Sequence, residues 1–141
     1  MLKRIALSIS LLLLSFSICS FANQAQDQKA SENGRFGGTW AGKWDGGGSS
    51  GNIEVSISTE SGKLVGKVSA TTDNGDYNTA IKTLSFDGNK MTAIYDMPGM
   101  DGVEVTLIST FDGNSTKGTW SVREKGQTAD MFSGSWTATK K

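Results

Sequence analysis

Four tryptophans set among glycines carry most of the chemical character of this sequence, because the groups on which most enzymes rely are missing. The 141 residues contain no His and a single Cys, Cys19. Without imidazole there is no side chain that ordinarily titrates near neutral pH, no Ser-His or Cys-His nucleophile and no nitrogen ligand for zinc. Asp96 and Asp101 flank the turn Met97-Pro98-Gly99-Met100 and could form an acid/base pair. A turn is wet, however, and general acid/base work needs a buried or coupled group. Asp73-Asn74-Gly75-Asp76-Tyr77-Asn78 offers hard oxygen atoms but lacks the spacing and terminal Glu of a calcium loop. It reads as an Asx-type turn. Met97 and Met100 bring two thioethers together, with no His or Cys to complete a copper site. The expectation is therefore a protein that is not an enzyme, with no metal and no cofactor.

The aromatic residues remain. A tripeptide recurs three times, as Gly38-Thr39-Trp40, Gly118-Thr119-Trp120 and Gly134-Ser135-Trp136. In a β-strand a Gly two residues before a Trp lies on the same face, so each copy sets an empty place beside the largest side chain. The indole of one strand can then cover the glycine of the next. Trp40 and Trp44 share a face with Phe36, Gly38 and Gly42, and Trp136 shares one with Phe132, Gly134 and Ala138. All four tryptophans are expected to point inward. Trp40, Trp44, Trp120 and Trp136 would line a lumen, with Tyr95 supplying an orienting hydroxyl for a small apolar or aromatic ligand. On that reading Gly42→Leu would fill the lumen.

The elements that must position these residues are strands. Turn chemistry punctuates the chain every ten or so residues: Gly46-Gly47-Gly48, Ser61-Gly62, Asn74-Gly75, Asp87-Gly88, Pro98-Gly99, Asp112-Gly113 and Lys125-Gly126. Between the turns apolar and polar residues alternate, as in Ile53, Val55 and Ile57, in Met91, Ala93 and Tyr95, and in Val103, Val105 and Leu107. Strands are predicted at 36–44, 52–59, 64–71, 78–86, 90–97, 103–111, 116–124 and 131–139, and no segment has a helical period. Sequential hairpins with one apolar face close most economically as an all-β, antiparallel up-and-down barrel of about eight strands, which removes unpaired edges. A two-sheet sandwich is the alternative.

The amino terminus reads as an address. Lys3-Arg4 precede an apolar run from Ile5 to Ile18, and Ser20-Phe21-Ala22 has the small-x-small pattern of a signal-peptidase site. The run is too short to span a bilayer. Residues 1–22 are therefore expected to be a removed signal peptide, residues 23–35 a disordered spacer and residues 36–140 the β domain. Export to the periplasm or beyond follows, with no transmembrane span in the mature chain. Bulky Ile18 before Cys19 speaks against a lipoprotein. With 14 basic and 14 acidic residues and no long basic run, nucleic acid is not an expected partner.

Gly38-Thr39-Trp40, the hairpin Gly62-Lys63-Leu64-Val65-Gly66-Lys67 and Gly134-Ser135-Trp136-Thr137 together resemble the small lipocalin-like and avidin-like β-barrel modules of secreted bacterial proteins, the calycin group. The resemblance covers residues 36 to 140 and implies an eight-stranded barrel that holds a small ligand in its mouth. The chain departs from lipocalins in having no helical segment after the last strand. Gly42 and Gly46 stand where avidins carry polar biotin contacts, so the resemblance does not extend to biotin. A second function class stays open: a filled core with no ligand, acting as a protein-interaction or structural module of the cell envelope. Val65, Ile94, Ile108 and Met131 have the parity to form its outward apolar stripe.

Overall fold

The computed structural model describes residues 34–141. The signal peptide and nearly all of the spacer read from the sequence lie outside that range. After a 3-10 turn at Gly34–Phe36 come nine antiparallel strands: β1 Gly38–Gly46, β2 Ser49–Glu60, β3 Lys63–Thr72, β4 Gly75–Ala80, β5 Thr83–Asp87, β6 Lys90–Asp96, β7 Val103–Asp112, β8 Ser115–Glu124 and β9 Phe132–Lys140. They form one curled sheet in the order β4-β3-β2-β1-β9-β8-β7-β6-β5, so the two-sheet sandwich is not the architecture. The turn takes up Gly34 and Arg35, which the sequence reading had left in the spacer.

Consecutive strands pair with one another except β4 and β5, and the β1–β9 pairing brings the first and last strands side by side. The predicted strand at 78–86 is replaced by β4 and β5, with a break at Ile81 and Lys82. Across that break the chain changes partner. Ile81 N–H donates to the Gly66 carbonyl of β3 at 2.9 Å, and Lys82 N–H donates to the Ile94 carbonyl of β6 at 2.8 Å. The two edge strands of the sheet are thus consecutive in the chain. Gly66 leaves room for the Ile81 side chain, whose Cδ1 would lie 2.7 Å from a Cβ there.

Alternation sorts the side chains as the pattern predicts. Ile53, Val55 and Ile57 of β2, Met91, Ala93 and Tyr95 of β6, and Val103, Val105, Leu107 and Phe111 of β7 are all buried on the concave side. The indole-over-glycine arrangement occurs three times, on two pairs of neighbouring strands: Trp44 lies opposite Gly51 on β1–β2, and Trp136 lies opposite Gly118 and Trp120 opposite Gly134 on β8–β9. A Cβ on Gly51 or Gly134 would meet the facing indole nitrogen at 2.7 Å, so the missing side chain is the space the ring occupies.

Gly42 has another role from the one its parity suggested. A Cβ there would sit 1.8 Å from the Thr137 carbonyl oxygen and 2.6 Å from the Ala138 Cα. The β1 backbone is pressed against β9 at this point, so Gly42→Leu would wedge the strands apart instead of filling a lumen. Gly118 is held against β7 in the same way, 1.8 Å from the Ile108 carbonyl oxygen.

Candidate functional site

The two ends of the curled sheet differ. At one end, which receives the 3-10 turn, Phe36 stacks on Phe86 with ring centroids 4.1 Å apart, and Phe111 meets Phe36, Phe86 and Trp40 edge-on at 5.1, 5.5 and 4.6 Å. Trp40 Nε1 donates to the Phe36 carbonyl at 2.9 Å, tying the incoming chain to this aromatic plug. Offset and edge-on ring pairs add to the gain from burial itself, so this end is filled.

The other end is open. A cavity of about 320 Å³ lies within the strand ends around the β1–β2, β3–β4, β6–β7 and β8–β9 connections. Its wall is mostly apolar, with Ile53, Ala70, Val105, Leu107 and Val122 below and Met97, Met100 and Phe132 at the rim. Phe132 is 51% exposed, an uncommon degree for so large an apolar side chain, and marks the lip of the opening.

Of the five residues singled out from the sequence, Trp44, Trp120 and Tyr95 line this cavity. Trp40 and Trp136 do not, for they are 0% and 1% exposed within the packed core. Trp136 Nε1 and Ser109 Oγ are buried without a hydrogen-bond partner among the described residues, on the β7–β8–β9 row that runs Ser109, Gly118, Trp136. The rings of Trp44 and Trp120 stand at 89° to one another, 5.6 Å between centroids. Their N–H groups are turned into the sheet, Trp44 Nε1 donating to the Thr71 carbonyl at 3.0 Å and Trp120 Nε1 to the Asp45 carbonyl at 3.1 Å. The cavity therefore meets their carbon surfaces.

Polar character comes from a residue that the sequence reading passed over. Tyr77, placed there in an Asx-type turn, lies on β4, and its hydroxyl is 2.9 Å from that of Tyr95. One hydroxyl must donate to the other, which leaves one O–H free to donate elsewhere. The weak signal for Tyr77 was a single aromatic ring next to turn residues. Burial pushes the Tyr95 hydroxyl well above the usual tyrosine range, helped by Tyr77, and burial also raises Tyr77 against a smaller opposing effect of the shared hydrogen bond. Both groups remain neutral, as donors and acceptors, wherever ordinary tyrosines are neutral.

A pH dependence follows. A raised tyrosine contributes its stabilisation in full below the unfolded value of about 10 and loses it as pH climbs through the folded value. The chain has two tyrosines in all, so the near-ultraviolet tyrosinate signal reads this pair alone. Native protein titrated to pH 10 should show little tyrosinate, whereas protein in denaturant should show about half of its full signal. Equal titration of the native and denatured forms would contradict the buried pair.

The remaining candidates lie in solvent. Asp96 accepts from Lys82 at 2.7 Å and pairs with Lys125 at 2.9 Å, and hydrogen bonds from these lysines hold its carboxyl below the usual range. A general acid needs the opposite shift. Glu104 shares Lys82, and Arg123 pairs with Asp130. Asp73 accepts from Ser49 Oγ and lies at the cavity rim, while the Asn74 N–H donates to Thr72 Oγ1 in the β3–β4 turn.

Geometry of this kind defines an antiparallel β protein with one plugged end and one small, largely apolar, open cavity. No protein-family model and no curated protein matches the chain. Among solved structures it is similar to a crystal structure from Bacteroides fragilis NCTC 9343 of a protein provisionally assigned to the outer membrane, with 18% identity and a TM-score of 0.44 over 78% of this chain and 52% of that one. The chain thus spans about half the length of that protein.

Proposed function

We propose that this protein is an exported lipocalin-like carrier or sensor that binds one small apolar or aromatic molecule in its open end. On this reading β4 and β5 are the halves of one bent strand, and the curled sheet is an eight-stranded up-and-down barrel. The observation that carries the reading is the asymmetry between the ends. A domain selected for stability alone has no reason to fill one end with four packed aromatic rings and leave about 320 Å³ at the other, a volume at the small end of ligand pockets. Export rests on Lys3-Arg4 and the apolar run that follows them.

The outward face supports a barrel working in water. Outward positions of β1 and β9 are Thr39, Ala41, Lys43 and Asp45, and Ser133, Ser135, Thr137 and Thr139. A strand crossing lipid needs an apolar band at such positions. Among the described residues no helix is long and apolar enough to cross a membrane. The competing interaction-module reading relies on the exposed Ile108 and Met131, which stand at 37% and 42% exposure. They are separate from the aromatic cavity, which that reading leaves without a purpose.

Calorimetric titration with naphthylmethanol, a neutral aromatic alcohol, tests the proposal. Saturable binding at a single site is expected, and Ala70→Phe, which projects a ring from the cavity wall, should weaken it at least about tenfold while circular dichroism stays β-type. Heat without saturation, or equal binding by the Ala70→Phe protein, would sink the proposal.

A further inference from the structure

We propose that the cavity selects by charge, taking a protonated amine on an aromatic or alicyclic body and rejecting carboxylates of the same shape. The inference rests on the binding reading above and specifies its ligand.

Among the described residues that line the cavity there is no Lys and no Arg, and Asp73 is the one with a formal charge. An anion entering this space would shed water and find no cation to replace it, whereas an ammonium group at the rim would find a carboxylate. Asp73 is well placed for this. Its Oδ2 accepts from Ser49 Oγ, which fixes the carboxylate across the start of β2. Ser49 pairs with Gly46 of β1, and Trp44 on that strand is tied by its indole N–H to Thr71, two residues before Asp73 on the chain. The carboxylate and the Trp44 ring therefore share one side of the mouth.

Aromatic geometry adds to the preference. Both Trp44 and Trp120 engage their N–H groups in hydrogen bonds to backbone carbonyls, so neither has a free N–H to donate to a guest. In this edge-to-face pair, 5.6 Å between centroids, the edge of one ring covers one face of the other, and an indole face left free at the mouth attracts a cation. Deeper in, the Tyr77–Tyr95 pair offers a neutral donor and acceptor set that suits an ether, hydroxyl or carbonyl on the body of the guest. A fatty acid or an aryl carboxylate could accept from the one free tyrosine O–H but would find no cation to balance its charge.

The test compares naphthylmethylamine, naphthylmethanol and naphthoate, which share a ring system and differ in charge, by calorimetry on the purified exported protein at neutral pH. The amine should bind about fivefold more tightly than the alcohol, the upper end of what an exposed ion pair reaches, and naphthoate should bind more weakly than either. In the Asp73→Asn protein the ratio of amine to alcohol affinity should fall several-fold, leaving the smaller preference that the indole faces supply. Alcohol binding with no preference for the amine, tighter binding of naphthoate, or an amine preference undiminished by Asp73→Asn would each overturn the charge selection alone. Absence of binding by all three would overturn the cavity reading together with it.

Discussion

Gly42→Leu should prevent folding of the domain or destabilise it by about 3 kcal/mol or more, beyond the usual range for overpacking. The reason is that the obstacle is backbone. A Cβ at Gly42 would overlap the Thr137 carbonyl at 1.8 Å, and peptide groups in a hydrogen-bonded ladder cannot rotate aside as a side chain can. Relief requires separating β1 from β9, the pairing that joins the first and last strands. Gly118→Leu should behave alike at the β7–β8 pairing, where the Ile108 carbonyl lies at 1.8 Å. Gly48→Ala is the control: nothing lies within 4 Å of its Cβ position, so only its positive φ of 81° is at issue, at a cost of about 1 kcal/mol. Urea unfolding of the three proteins checks the order. A folded Gly42→Leu protein of near wild-type stability would show that the strands are less closely pressed than described.

Trp40→Ala should cost about 3 to 5 kcal/mol, as large-to-small changes of a buried aromatic do. Trp40 is fully buried, stands edge-on to Phe111 at 4.6 Å and holds the Phe36 carbonyl. Its loss opens a cavity beneath the plug and releases the segment that carries Phe36. Trp44→Ala, at the half-exposed mouth, should cost clearly less in the same unfolding assay and should instead reduce ligand affinity. Comparable losses of stability for the two would mean that the ends of the sheet are not differently packed.

The fold was legible in the sequence because period-two alternation and Gly-containing turns are local signals. The strand at 103–111 appears almost residue for residue as β7, and Trp136 faces Gly118 as the tripeptide repeats imply. The break at Ile81–Lys82 was not legible, since it contains no Gly or Pro and arises from a change of partner between β3 and β6 that only the assembled sheet imposes. The division of the tryptophans was within reach. Trp40 and Trp44 are four residues apart on one strand, about 13 Å at strand rise, so both cannot line one small pocket. What the sequence leaves out is which end is open, because that is decided by Phe36, Phe86 and Phe111 meeting from three distant segments. Tyr77 was hidden for a similar reason: its partner Tyr95 is on a strand that is not its neighbour in the sheet.

The most direct test of an open end beside a filled one uses the indole N–H resonances, four in number for the four tryptophans of the chain. With nitrogen-15-labelled protein, added naphthylmethanol should move the Trp44 and Trp120 signals along saturable curves while those of Trp40 and Trp136 stay in place. Four unmoved signals, or shifts at Trp40 and Trp136 as large as those at the mouth, would contradict the account.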